Sequence, residues 1–234
     1  MKEGAHGETT GSPVLERWAT FDCYGTLIDW NGGIAGELDR LFGAGAGARL
    51  LGRYHEIEPQ VQAEDPERSY RVVLTLALER LAEGEKLPLP EGEHDALARS
   101  LPSWTPFSEV SPALEEARER GWRTAILSNT DRDFIAASKA RIEVPFGETI
   151  VASEIGSYKP GHRHWSEFFA RTHADRDRCV HVAASLFHDI APANELGLKS
   201  VWVNRLGETA DPVPTREMAD LGGLADVLDE LAPA

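Results

Sequence analysis

The chain has 234 residues, enough for one domain with a full hydrophobic core and an inserted subdomain. Hydrophobic residues make up 41% and charged residues 27%, a soluble composition without an apolar stretch long enough to cross a bilayer. The formal net charge of -15 disfavours binding to nucleic acid or to anionic lipid, so a small molecule is the expected partner.

The N-terminal segment and the cysteines bear on the cellular location of the protein. Residues 1–15 are polar and rich in glycine, which predicts a flexible tail rather than an export signal. The two cysteines, Cys23 and Cys179, give neither a disulfide framework nor zinc-ligand spacing. This usage favours a reducing, cytoplasmic location.

Short apolar runs and helical patterns alternate from about residue 105 to the C-terminal region. Five runs predict buried strands, and they lie at residues 18–21, 124–127, 149–152, 180–184 and 200–203. Four helical patterns lie at residues 112–120, 134–141 (after a cap candidate, Asp131), 164–172 and 190–196. The alternation predicts an α/β fold with a doubly wound parallel sheet and functional side chains just after the strands.

Residues 32–103 interrupt this alternation. Apolar residues over 70–81 recur at helical spacing, and prolines mark the loops that follow. The glycines of residues 43–47 favour a connection between helices over a phosphate cradle. We therefore expect a helical cap at 32–103, inserted into a core formed by residues 16–31 and 104–234.

Two candidate sites follow the first two core strands. The run FDCYGTLID at residues 21–29 places Asp22 at the end of the first strand, where a carboxylate kept ionised can act as a nucleophile. The alternative is a buried turn aspartate that caps a loop. The second strand ends in Ser128 and Asn129, which are equally consistent with a helix N-cap.

Two further candidates follow the next two strands. The run GSYKP at residues 156–160 carries Lys159, a positive charge suited to keeping Asp22 ionised, or else an ordinary solvated lysine. The run VAASLFHD at residues 182–189 ends in Asp189, a candidate base or else a helix cap.

These four segments, in this order, resemble the four motifs of the haloacid dehalogenase superfamily. The resemblance implies that Asp22 attacks the substrate with help from Lys159, Ser128 and Thr26, and that water then cleaves an aspartyl ester with Asp189 as base. Phosphatases of the superfamily carry a second aspartate where this chain has Tyr24. The Tyr-Gly-Thr form is instead similar to the 2-haloacid dehalogenases.

The resemblance also bears on metals and cofactors. Metal-dependent relatives carry an aspartate where this chain has Ala184, and Mg²⁺ prefers several hard oxygen ligands. We expect no catalytic metal and no cofactor. The histidines at 162, 164, 181 and 188 show no third convergent ligand, so a zinc site is not expected either.

The same resemblance implies that the substrate is contacted by Arg53, Asn129, Tyr24 and Trp165. Arg53 matches the substrate-binding arginine of the family by spacing only. The arginines at 49, 68 and 71 are alternative candidates for this role, and an arginine on a cap helix is often simply solvated. Trp165 stands near a family tyrosine and is equally consistent with the core.

The expected activity is displacement of halide from a small 2-haloalkanoic acid. Ala184, Leu186 and the pair Asp29-Trp30 also resemble a side branch that includes azetidine-2-carboxylate hydrolase, so opening of a cyclic amino acid at a carbon–nitrogen bond is one alternative. A Mg²⁺-dependent phosphatase and a non-catalytic binding protein are two others. The sequence leaves the substrate, its stereochemistry and the oligomeric state open, a homodimer included.

Overall fold

A computed structural model describes residues 16–234, and the tail predicted at 1–15 lies outside the described residues. The sheet strands are β1 Arg17–Phe21, β2 Trp122–Ser128, β3 Glu148–Val151, β4 Cys179–Ala183, β5 Lys199–Val203 and β6 Arg216–Met218. All six are parallel neighbours in one sheet of order β3-β2-β1-β4-β5-β6. The strand order therefore reverses between β1 and β4, where open α/β sheets bind ligands.

Helices precede and follow the strands. The described residues contain these α-helices: α1 Trp30–Phe42, α2 Ala46–Glu64, α3 Tyr70–Gly84, α4 Ala96–Ser100, α5 Val110–Glu119, α6 Arg132–Ile142, α7 Ala152–Ile155, α8 Arg163–Thr172, α9 Ala191–Glu195 and α10 Leu224–Leu231. Single turns of 3₁₀ helix occur at Leu101–Ser103 and Arg176–Arg178, and a π turn at Leu186–Ile190. No helix among residues 16–234 combines the length and apolar character needed to cross a membrane.

The sheet is buried on both faces, as expected for parallel strands covered by helices. Successive residues of a strand point to opposite faces, so Phe21 packs into one core cluster while Trp18 packs into the other. The smaller cluster includes Trp165 and Phe168 of α8. The larger one continues from the sheet into α1–α4. The predicted α/β fold with a doubly wound parallel sheet is confirmed.

The predicted elements agree with the structure except at a few places. All five predicted strands are present with ends shifted by at most two residues, and the helix expected over 70–81 is α3. The edge strand β6 and helix α10 were not predicted. The helix expected to begin at Ile190 starts earlier, as the π turn.

Asp131 does not cap the helix that follows it. It precedes α6, but its side chain makes no capping hydrogen bond there. Its two carboxylate oxygens instead accept hydrogen bonds from the backbone N–H groups of Tyr70 and Arg71, both at 2.9 Å. A residue after β2 thus stabilises the N-terminus of α3, joining the sheet to the helices inserted between β1 and β2.

Candidate active site

The four segments singled out in the sequence meet at the carboxyl edge of the sheet. Asp22 directly follows β1, Ser128 is the last residue of β2, and Lys159 and Asp189 lie in the segments after β3 and β4. Because β1 pairs with both β2 and β4 in parallel register, the ends of these strands lie side by side.

Lys159 is the centre of the cluster, and its side chain is 1% exposed. Its Nζ donates to Asp22 Oδ1 at 2.9 Å, to Asp189 Oδ1 at 2.6 Å and to the Leu127 carbonyl at 2.8 Å. Burial alone would lower the pKa of Lys159, but the carboxylates of Asp189 and Asp22 outweigh it and raise this pKa. All three ammonium protons are therefore donated to protein oxygens.

Asp22 has a donor on each carboxylate oxygen. Lys159 binds Oδ1, while the Thr26 hydroxyl donates to Oδ2 at 2.8 Å and itself accepts from the Ala184 N–H at 2.9 Å. Burial raises the pKa of Asp22, whereas attraction to Lys159 lowers it and repulsion from Asp189 adds to the rise. The contacts fix the direction of the carboxylate, as a nucleophile requires.

Asp189 is held by two hydrogen-bond donors, the Lys159 ammonium and the His181 ring. Its Oδ1 accepts from Lys159 and lies 3.0 Å from His181 Nε2. Since a carboxylate only accepts, His181 donates from Nε2, and its Nδ1 accepts from the Thr20 hydroxyl at 2.8 Å. Burial alone would raise the pKa of Asp189, but Lys159 and His181 outweigh it and hold this pKa well below its usual range.

Ser128 and Asn129 differ in how their polar groups are used. The Ser128 hydroxyl is buried and has no hydrogen-bond partner among the described residues. The Asn129 amide pairs with the backbone of Lys159, accepting from its N–H at 2.6 Å and donating to its carbonyl at 3.0 Å. Asn129 therefore positions the lysine, while Ser128 retains a hydroxyl for a ligand.

A cavity of about 490 Å³ lies over Asp22. Its wall includes Ser128, Asn129, Lys159 and Asp189 from the sheet side, together with residues of α1, α2 and α3. Tyr24 also lines it, with its hydroxyl 3.0 Å from that of Ser138 and its ring stacked on Tyr70 at a centroid distance of 6.2 Å. The volume suits a small organic molecule.

A family model described as haloacid dehalogenase-like hydrolase matches residues 17–197, a stretch that contains all four motif segments. The chain belongs to the haloacid dehalogenase-like hydrolases. This confirms the superfamily that the motifs indicated.

Named relatives that match more than four-fifths of the chain are dehalogenases, whereas two phosphatases match about half of it. An (S)-2-haloacid dehalogenase from Pseudomonas sp. (strain YL) is 27% identical over 220 residues, covering 91% of this chain and 94% of that protein. Haloacetate dehalogenase H-2 from Moraxella sp. (strain B) is 27% identical over 202 residues, 82% of this chain and 87% of its own. The L-2-haloacid dehalogenase from Xanthobacter autotrophicus, solved with chloropropionic acid covalently bound, has a TM-score of 0.79 at 18% identity, with 93% and 100% of the chains covered. At 18% identity, the similarity to the Xanthobacter autotrophicus structure shows a shared fold.

The structure places two of the expected substrate contacts away from the cavity. Arg53 does not line the cavity, since its guanidinium is exposed and pairs with Glu56 one helical turn along α2. Trp165 is 1% exposed inside the smaller core cluster, where its ring packs edge-on against His181. Trp165 therefore supports the site indirectly, by packing against His181, which contacts Asp189. The rival arginines at 49, 68 and 71 do not line the cavity either.

The missed cavity residues come mainly from the helices inserted between β1 and β2 and from the segments after β4 and β5. Glu58 and Gln62 of α2 and Tyr70 of α3 line the cavity, and Glu58 is 4% exposed. A signal was present, because Tyr54, Glu58 and Gln62 are spaced by four residues and lie on the apolar side of α2. Polar residues on such a face call for a specific partner.

The donor set fits Mg²⁺ poorly. Asp22 and Asp189, the carboxylates at the sheet edge, already share the ammonium of Lys159, and Ala184 adds no oxygen ligand from its side chain. Residues 16–234 hold no group of three or more histidine, cysteine, aspartate or glutamate side chains placed to bind a metal ion. The expectation of metal-independent chemistry stays a prediction.

Proposed function

We propose that this chain is a metal-independent hydrolase that displaces halide from a small 2-haloalkanoic acid by attack of Asp22. The observation that carries the proposal is the geometry of Asp22, whose oxygens are bound by Lys159 and Thr26 at the floor of the cavity. Its dehalogenase relatives over more than nine-tenths of the chain support the leaving group.

In the first step, a carboxylate oxygen of Asp22 attacks the carbon that bears the halogen. The carbon–halogen bond breaks, its electron pair leaves with the halide, and an ester joins Asp22 to the substrate. Lys159 keeps Asp22 ionised before attack. The unpartnered Ser128 hydroxyl is the proposed donor to the substrate carboxylate, and Tyr24 forms part of the wall.

In the second step, water cleaves the ester and restores Asp22. We assign Asp189 as the base that takes the proton of this water, since it lines the same cavity and neighbours Asp22 across Lys159. Its lowered pKa keeps this carboxyl ionised, the state in which it can accept a proton. Residues 32–103 are the proposed cap that shields the ester from bulk water.

The test is halide release from each enantiomer of 2-chloropropionate in the presence of EDTA, with the parent protein and Asp22→Asn compared. We expect release by the parent, from one enantiomer in preference to the other, and none by the variant. Halide release that requires added Mg²⁺ would contradict the metal-independent step. If the parent releases no halide but releases phosphate from phosphate esters, the proposal is wrong and the protein is a phosphatase.

A further inference from the structure

A pair of buried polar side chains lies next to Asp189, in the middle of two largely apolar strands. Thr20 of β1 and His181 of β4 are partners in the parallel register, so their side chains lie side by side on one face of the sheet. Both residues are 0% exposed. An apolar pair would pack there without the cost of burying polar groups, so the contacts that Thr20 and His181 make are informative.

The hydrogen bonds of this pair run in one direction and end on Asp189. The Thr20 hydroxyl donates to His181 Nδ1 at 2.8 Å, and His181 Nε2 donates to Asp189 Oδ1 at 3.0 Å. Because Nδ1 accepts, the ring proton lies on Nε2, the nitrogen that faces Asp189. Trp165 packs edge-on against the ring at a centroid distance of 5.1 Å. The surroundings of His181 therefore fix both its tautomer and the direction of its donor.

The two carboxylate oxygens of Asp189 are used unequally. Oδ1 accepts from His181 and also from Lys159 Nζ, at 2.6 Å, whereas Oδ2 accepts no hydrogen bond from residues 16–234. A carboxylate rotates easily about its terminal bond, so a single donor would allow the two oxygens to exchange. Two donors on Oδ1 oppose this exchange. Since Asp189 lines the cavity, they leave Oδ2 available to a water molecule there.

We propose that His181, oriented by Thr20, is a positioning residue for hydrolysis of the ester, because it holds Oδ1 of Asp189 so that Oδ2 takes the proton of the attacking water. This inference rests on the proposed function, in which Asp189 is the base. The water oxygen bonds to the carbonyl carbon of the Asp22 ester while its proton moves to Oδ2. The bond from that carbon to the substrate oxygen then breaks, and the proton returns from Oδ2 to the departing hydroxy acid. Asp22 loses its remaining proton to solvent.

The contribution of His181 is greatest after Asp22 has become an ester. In the resting site, the Lys159 ammonium is shared between the carboxylates of Asp22 and Asp189. Esterification removes the charge of Asp22, which leaves Asp189 as the ionic partner of Lys159 among the described residues. His181 then keeps the ammonium from drawing both oxygens of Asp189 into one contact, which would block Oδ2. The attack of Asp22 on the substrate needs no base and does not depend on this contact.

Single-turnover kinetics with 2-chloropropionate test the proposal, since halide release reports the attack and the intact mass of the protein reports the ester. We expect His181→Leu to leave halide release unchanged, to slow loss of the ester by about tenfold to a hundredfold, and so to accumulate the ester. His181→Gln should restore most of the rate, because its amide can donate from a similar position. Cys179→Ala, a buried change two residues away on the same strand, is the control for loosened packing and should leave both steps unchanged.

Thr20→Val is a second variant, and it keeps the histidine ring. Without the hydroxyl donor the ring proton can move to Nδ1, and Nε2 then cannot donate to Asp189. We expect slower loss of the ester in Thr20→Val and the parent rate in Thr20→Ser. Nitrogen NMR should find His181 protonated at Nε2 in the parent and partly protonated at Nδ1 in Thr20→Val.

Equal slowing of both steps in His181→Leu, loss of the ester at the parent rate, or a parent protonated at Nδ1 would each overturn the proposal. If His181→Leu does not fold, the comparison of Thr20→Val with Thr20→Ser decides, and equal rates in these two variants would overturn it. Any of these results, in a parent that releases halide and forms the ester, would refute this proposal alone. A parent that forms no ester would refute the proposed function and this inference with it.

Discussion

At the residue scale, Lys159 is the group on which the site depends most. It lies between two buried carboxylates, Asp22 and Asp189, and donates to both. Removing one partner of a buried ion pair leaves an uncompensated charge and typically costs about 3–5 kcal/mol. The lysine therefore stabilises the fold and, in the proposed mechanism, keeps Asp22 ionised.

We expect Lys159→Met to lower the free energy of unfolding by about 3–5 kcal/mol and to lower halide release at least a hundredfold. Adding Asp22→Asn should restore part of the stability, because one of the two facing charges is removed, but none of the activity. Urea denaturation and halide assays measure the two effects. An active or fully stable Lys159→Met protein would show that the ammonium is not needed.

Glu58 gives a stability prediction that does not depend on any ligand. Burial raises its pKa from 4.5 to about 7 on folding. Between these values the folded chain holds a proton that the unfolded chain has lost, so stability is greatest below pH 4.5 and is lost as the pH rises through 7. The full effect is up to about 3 kcal/mol.

Denaturation at a series of pH values should show this loss in the parent protein, and Glu58→Gln should remove it. Glu56→Gln, on the exposed side of the same helix, should leave the profile unchanged. A profile that is the same with and without Glu58 would contradict a raised pKa for this carboxyl.

The contrast between Arg53 and Glu58 shows which part of the site could not be predicted from the sequence. Both are charged and lie on α2, and spacing relative to the family favoured Arg53. The structure places Arg53 outside and Glu58 at the cavity, because Glu58 shares a helix face with Tyr54, Val61 and Gln62. Helical periodicity can assign a residue to a face, but the position of that face depends on how α2 packs.

At the element scale, the ends of the parallel strands were the most predictable feature. Continuous apolar runs marked β1 to β5, and parallel pairing then brings the residues after β1, β2, β3 and β4 to one edge. Strand β6 lacked that signal, since its residues Arg216, Glu217 and Met218 are polar or partly exposed at the sheet edge. The sequence therefore predicted the candidate residues after β1 to β4 better than the opposite wall of the cavity.

The contact between Asp131 and α3 gives a prediction for how the inserted helices are held on the sheet. Asp131→Ala removes the acceptor of the Tyr70 and Arg71 N–H groups. We expect it to lower the free energy of unfolding by about 1–2 kcal/mol, the usual cost of losing an N-cap, and to raise KM because Tyr70 lines the cavity.

The matched control is Asp133→Ala, two residues away. Asp133 pairs with Arg71 on the surface, and an exposed ion pair contributes at most about 1 kcal/mol. Urea denaturation and substrate titration should separate the two variants. Equal effects, or a larger effect of Asp133→Ala, would show that Asp131 does not hold α3.

At the scale of the whole molecule, the inserted helices and the sheet share one hydrophobic cluster. Its members include Phe21 and Ile126 of the sheet together with Ile34, Tyr54 and Leu78 of α1, α2 and α3. A shared core favours cooperative unfolding, since neither part keeps its buried surface without the other.

We therefore expect a single unfolding transition in urea, with coincident midpoints for far-ultraviolet circular dichroism and tryptophan fluorescence. Trp30 reports from the inserted helices, while Trp18 and Trp202 report from the strands. Two separated transitions would show that residues 32–103 fold as an independent unit.

The central claim is that Asp22 forms an ester with the substrate. Its most direct test is a single turnover of 2-chloropropionate, with enzyme in excess, in water enriched in the heavy oxygen isotope, followed by mass spectrometry of the peptide that contains Asp22. Attack of water on the ester carbonyl predicts one heavy oxygen in the Asp22 carboxylate and none in the product. Label found in the product, with Asp22 unlabelled, would show that water attacks the substrate directly and would contradict the account.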